Sequence, residues 1–171
     1  MCLPWVLWLL GPVEHRSVLV LPPTLPGVAW VLDRDEARAI LVAERPMNEV
    51  GFVNAALQAG VAHAGPLVTL SKGAFDAAVR LGPTQPPPGG EELRQIASAI
   101  RPGGRLALSF RVRDGESVDL GAKWCLLRGD PSVIPGLAGF SSSRFANTAA
   151  WYGEQQHRIG VLLCGRVADA E

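Results

Sequence analysis

Between residues 17 and 112, short apolar runs alternate with stretches of helical period, and that alternation leaves the chain few folds to choose from. Ser17–Leu21 (SVLVL) and residues 39–43 (AILVA) are apolar throughout, as strands buried on both faces are. A third such run falls within residues 63–70, a fourth is 75–81 (FDAAVRL), and a fifth is 105–112 (RLALSFRV). Residues 27–32 open a short helix after the first run. Residues 48–59 put Val50, Val53, Ala56 and Leu57 on one helical stripe, and Gly60 stops it. Residues 91–100 do the same with Leu93, Ile96, Ala97 and Ile100, and Arg101-Pro102-Gly103-Gly104 reads as the turn that follows. Strand, helix and strand in succession call for a parallel sheet covered on both faces. Beyond residue 112 the pattern loosens. Residues 120–127 read as a short helix. Residues 140–148 and 158–167 read as two last strands joined near Gly153, and strands with no helix between them pair as an antiparallel hairpin. The expected architecture is α/β: three layers around a mixed sheet of about seven strands, mostly parallel, closed by that hairpin.

No internal repeat interrupts the pattern, and the proline-rich loop 83–90 is too short to separate a pair of domains, so residues 1–171 read as one domain. Sixteen basic residues balance sixteen acidic ones, which argues against a chain built to coat nucleic acid or an anionic membrane. Hydrophobic residues make up 48% and charged ones 19%, so the chain folds, and its low charge points to surface covered by other protein subunits. Cys2, Cys125 and Cys164 form no CxxC pair, and His15, His63 and His157 are scattered. Neither a disulfide framework nor a metal site is expected, and a reducing, cytoplasmic compartment fits. Within the N-terminal segment 1–14, residues 2–10 (CLPWVLWLL) are apolar but too short to cross about 30 Å of hydrocarbon. They carry no basic leader or cleavage site. The segment reads either as a buried helix or as a surface that docks on a partner, including a membrane-bound complex, with Trp5 and Trp8 on one face.

Catalytic motifs are missing: there is no GxSxG, P-loop, HExxH or carboxylate pair. Asp76, at the head of the fourth run, reads as structural. Arg101, Arg105, Arg111 and Arg113 cluster around the fifth run with only Phe110 near them, which suits a solvated face or a protein contact better than nucleic acid. Trp5, Trp8, Trp124, Trp151 and Tyr152 are candidate contact anchors.

The segment FDAAVRLG, the helical EELRQIASAI and RPGGRLALSF together resemble the fourth strand, following helix and fifth strand of class I S-adenosylmethionine-dependent methyltransferases. The RPGG turn is the most specific piece. SVLVL is similar to that family's first strand and AILVAER to its second, which would end at Glu44. GFSSSRFANTAAW and HRIGVLLCGR resemble the sixth and seventh strands. The resemblance covers nearly all of the chain from about residue 15 and implies a Rossmann-like sheet whose last strand lies antiparallel between the fifth and sixth.

The departures fall on the cofactor loop. Members carry a glycine-rich turn after the first strand, where backbone comes close to the cofactor. Here the residues are Leu21-Pro22-Pro23-Thr24-Leu25-Pro26-Gly27, and proline fixes φ and lacks an N–H. No acidic residue ends the first strand, and no Asn-Pro-Pro-Tyr-like motif follows the fourth, where Arg80-Leu81-Gly82-Pro83 stands. These departures imply a non-catalytic methyltransferase-like domain, without cofactor, that serves as a subunit of a larger assembly. The alternative is an S-adenosylmethionine-dependent methyltransferase acting on a small molecule. In that case Glu44 would hold the ribose, and the backbone from Thr24 to Gly27 would approach the methionine end of the cofactor.

Overall fold

A computed structural model describes residues 10–24, 28, 32, 36–42, 62–64, 70–82, 84–113, 116–135, 149–152 and 155–168. Its strands are β1 (Ser17–Leu21), β2 (Arg38–Val42), β3 (Ala62–Ala64), β4 (Phe75–Gly82), β5 (Ile100–Val112), β6 (Trp124–Gly129), β7 (Ala149–Tyr152) and β8 (Gln155–Arg166). One helix, α1 (Gly90–Ala99), joins β4 to β5. The strands form one sheet in the order β3-β2-β1-β4-β5-β8-β6, with β7 also paired to β8. The first five in that order are parallel. β8 runs antiparallel to β5 on one edge and to β6 and β7 on the other. An antiparallel last strand between the fifth and sixth is the arrangement the resemblance implied.

The unbroken apolar runs are explained by burial on both faces. Along β1, Leu19 and Leu21 turn to one face while Val18 and Val20 turn to the other, and none is more than 3% exposed. The first face is covered by α1 through Leu93, Ile96 and Ala97, and by Trp124, Val133 and Ile134. The second is covered by Leu10, Val13, Val28 and Leu32. Glu91 and Glu92 occupy the first turn of α1, where carboxylates favour the positive end of the helix dipole.

Four sequence expectations need correction. The helix expected over 120–127 is a 3-10 turn, Gly121–Lys123, followed by strand β6. Among the described residues it pairs along one edge, with β8, and its burial pattern is broken. This strand raises the count to eight. The Arg101–Gly104 turn lies within β5: the register with β4 jumps between Phe75 and Ala77, and the extra residues bulge out with Gly103 at φ +76°. A side chain on Gly104 would come within 2.8 Å of the Asp76 carbonyl, so the chain needs glycine there. Trp124 is core and not a contact anchor: it is 4% exposed, and its Nε1–H donates to the Leu93 carbonyl at 2.9 Å. A closing antiparallel hairpin is present, but it pairs β7 (Ala149–Tyr152) with β8 (Gln155–Arg166) and not residues 140–148 with 158–167. The helix expected over 48–59, the strand over 140–148, the turn at Gly153, and the side chains of Trp5, Trp8, Trp151 and Tyr152 lie outside the described residues.

Asp76 is structural, as expected. One carboxylate oxygen accepts the Ser17 N–H at 2.7 Å and the other pairs with Arg101 at 2.7 Å, tying the start of β4 to the start of β1. The basic cluster around β5 is divided among separate partners, since Arg105 donates to the Leu10 carbonyl at 2.8 Å. No helix among the described residues is long and apolar enough to cross a membrane.

Candidate functional site

In an open sheet of this order the chain leaves β1 and β4 in opposite directions, and the crevice between their carboxyl ends is where ligands bind. The proline segment builds the β1 side of that crevice. Leu21, Pro22, Pro23 and Thr24 make a tight turn with a cis Pro22–Pro23 peptide, closed by a hydrogen bond from Thr24 N–H to the Leu21 carbonyl at 2.9 Å. Thr24 is buried. Its hydroxyl accepts the Leu81 N–H at 2.7 Å and donates to the Val79 carbonyl at 3.3 Å. The turn is thereby riveted to the end of β4. The Pro23 ring lies over Gly82, where an added Cβ would stand 2.4 Å from Pro23 Cγ. Two prolines without N–H, and a threonine whose N–H and hydroxyl are both engaged, give the crevice its shape and offer a ligand no donor.

The donor comes from β4. Arg80 pairs in register with Leu21 at the tip of β1 and is only 7% exposed. Its Nε donates to Glu92 Oε1 of α1 at 2.5 Å, while its Nη1 is buried with no partner among the described residues. On β5, the Arg111 backbone N–H donates to the Gln85 carbonyl at 2.7 Å, and Arg111 Nε and the Ser109 hydroxyl are also buried without partners among the described residues. Buried donors of this kind cost about 1–3 kcal/mol each unless something accepts from them. A carboxylate suits the Arg80 guanidinium best.

Of the three residues the resemblance pointed to, the structure places Thr24 in the crevice wall, bonded to β4. Gly27 and Glu44 lie outside the described residues; Glu44 follows the described end of β2 at Val42 by two positions. Arg80 was missed. Its signal in the sequence is a cation in the apolar second half of β4, followed twelve positions later by Glu92 in a helix's first turn. A charge that deep requires a partner. The described residues that come nearest to a metal-ligand set, Glu14, His15 and Glu36, are exposed and belong to the turns that enter β1 and β2, away from the strand tips.

No family model and no curated protein matches the sequence. Solved structures do match. An S-adenosylmethionine-dependent methyltransferase from Mesorhizobium loti superposes over 95% of this chain and 96% of its own, at 12% identity and a TM-score of 0.61. The 1,6-didemethyltoxoflavin-N1-methyltransferase of Burkholderia thailandensis, with 1,6-didemethyltoxoflavin and S-adenosylhomocysteine bound, matches over 98% of this chain and 77% of its own, at 15% identity and 0.62. The geranyl diphosphate C-methyltransferase of Streptomyces coelicolor, in complex with Mg2+, geranyl diphosphate and S-adenosylhomocysteine, matches over 96% and 78%, at 12% identity and 0.64.

The chain thus has the class I methyltransferase-like fold. The expectation of no cofactor is corrected by the same comparisons. These three structures are methyltransferases, two of them holding S-adenosylhomocysteine, and they point to S-adenosylmethionine. The proline turn, on which that expectation rested, is only one corner of the site. It removes donors there, while Arg80 supplies one from the neighbouring strand. Nothing in the fold or in these comparisons favours the structural-subunit reading.

Proposed function

We propose that this chain is an S-adenosylmethionine-dependent methyltransferase acting on a small molecule. The observation that supports it is the buried Arg80 Nη1, a donor without an acceptor at the tips of β1 and β4. A cofactor with an amino-acid carboxylate provides that acceptor. Glu92 engages the guanidinium through Nε, so Nη1 is the atom left to take the cofactor carboxylate. Glu44, past the end of β2, accepts the ribose hydroxyls, and Gly27 allows close backbone approach. Thr24 and the prolines hold the wall that these groups work against. When bound, S-adenosylmethionine supplies an activated methyl group. The remaining task for the chain is to hold donor and acceptor in line and keep water out, which needs no general base.

Calorimetric titration with S-adenosylhomocysteine tests this. The wild-type chain should bind saturably. Arg80→Met should weaken binding about 10- to 100-fold, the worth of a charge-assisted hydrogen bond. Glu44→Ala, a change beyond the described sheet, should weaken it independently. Absence of saturable binding to the wild-type chain would refute the proposal.

A further inference from the structure

Ser109 and Arg111 stand two positions apart near the carboxyl end of β5, on the sheet face opposite α1. Further back on that face Ala107 is core with Leu163, while Leu106, Leu108 and Phe110 take the α1 side. The strand therefore changes character at its tip, where two polar residues follow an apolar one on the same face. Ser109 is 1% exposed, and neither its hydroxyl nor the buried Arg111 Nε has a partner among the described residues. A guanidinium keeps its proton, so titration cannot relieve the Arg111 donor. The bond from Arg111 to the Gln85 carbonyl uses the backbone N–H and makes no demand on the side chain.

The neighbours on this face are apolar. Leu81 of β4 is the register partner of Ser109 on one side, and Val161 and Ile159 of β8 stand opposite Ser109 and Arg111 on the other. Leu81, Val161 and Arg111 are each partly exposed, which gives a ligand a way in from the strand tips. Two positions on one strand face are about 7 Å apart, within the reach of one small ligand. A hydroxyl and a guanidinium there supply two donors and one positive charge. A carboxylate matches both counts, with two oxygens and one negative charge. A phosphate dianion would carry a second negative charge into apolar surroundings, where an unpaired charge is costly.

We propose that Ser109 and Arg111 bind the carboxylate of the small-molecule substrate, an apolar monocarboxylate; the substrate role rests on the methyltransferase reading above. Arg80 belongs to the α1 face and precedes Leu81 by one residue, so cofactor and substrate are held from opposite faces of the sheet at one edge. The test is calorimetric titration of the full chain with benzoate, with and without saturating S-adenosylhomocysteine, and with benzamide as the uncharged counterpart. Benzoate should bind saturably with a Kd below about 5 mM, and benzamide at least about tenfold more weakly. Arg111→Met should weaken benzoate at least about tenfold and Ser109→Ala at least about threefold, both with S-adenosylhomocysteine affinity unchanged. Arg38→Met, which removes an exposed charge at the start of β2, should alter neither. Since the Ser109 hydroxyl has no partner to lose, Ser109→Ala should keep or raise the urea midpoint; a lower midpoint would give the hydroxyl a structural role and overturn the proposal. Equal binding of benzamide, an equal loss in Arg38→Met, or a parallel loss of S-adenosylhomocysteine binding in the Ser109 and Arg111 variants would overturn it too. A wild-type chain that binds S-adenosylhomocysteine but not benzoate would overturn this inference alone. A chain that binds no S-adenosylhomocysteine would refute the methyltransferase reading, and the substrate role of this site with it.

Discussion

Gly82→Ala should be among the most damaging single-methyl additions in this chain. The new Cβ would stand 2.4 Å from Pro23 Cγ and 3.1 Å from Gln85 Cβ. Carbon atoms in contact sit about 3.5–4.0 Å apart, so the proline ring must retreat by more than about 1 Å. A ring fused to the backbone cannot swing aside as a long side chain can, so the whole turn moves. Thr24 moves with it, and its hydroxyl bonds to Leu81 and Val79, now 2.7 and 3.3 Å, lengthen or break. Overpacking of this kind costs about 1–3 kcal/mol, and leaving the half-buried Leu81 N–H without its acceptor adds about 1–2. A loss of about 2–5 kcal/mol follows, which in a domain of this size lowers Tm by roughly 4–20 °C. Urea unfolding measures it, with Thr24→Val as a companion that removes the hydroxyl alone. Both act through one turn, so their effects should sum to more than the double variant loses. A Gly82→Ala protein within about 0.5 kcal/mol of wild type would refute the claim that the proline turn is clamped onto β4.

Other outcomes follow from the same geometry. Asp76→Ala should lose about 1–2 kcal/mol in urea unfolding through the unsatisfied Ser17 N–H, and Asp76→Asn, which keeps an acceptor, should lose less. Trp124→Phe should cost about 1 kcal/mol for the bond to Leu93, with the fold retained by circular dichroism. Burial, with a smaller contribution from Cys125, pushes the Cys164 thiol from 9.0 up to about 12. Iodoacetamide at pH 8 followed by peptide mapping should therefore modify the exposed Cys125 and spare Cys164. The same shift makes the native state hold its proton where the unfolded chain loses it. Cys164 therefore contributes stability below pH 9 that declines between pH 9 and about 12, which urea unfolding across that range would show; Cys164→Ala should flatten that decline.

The parallel half of the sheet was legible because its strands are buried twice over. Val18 to Leu21 and Leu106 to Phe110 have no solvent face, so their runs stand out without any periodicity. α1 was legible for the opposite reason, its one buried face spacing Leu93, Ile96 and Ala97. β6 was not, because Trp124 and Gly129 are its only fully buried positions and the residues between them face solvent or sit half-covered. β8 extends further at its start than its apolar run does: its first residues, Gln155, Gln156 and His157, pair with β7 and look like loop. At the site, the loss of donors at the prolines is plain from residue type alone. Arg80 is not, because its importance depends on Leu21 and Glu92, which reach it only in three dimensions.

β8 has a consequence for how the molecule is made. It enters the sheet between β5 and its outer neighbours, so Arg105 through Val112 have no partner on that side until residues 158–165 emerge from the ribosome. A nascent chain that has completed β5 carries an unlatched row of amides and carbonyls, open to any passing strand, for the whole time the intervening segment is translated. The arrival of β8 is therefore the step at which solubility is won or lost, and a ribosome stalled before β8 would release a polypeptide primed to aggregate.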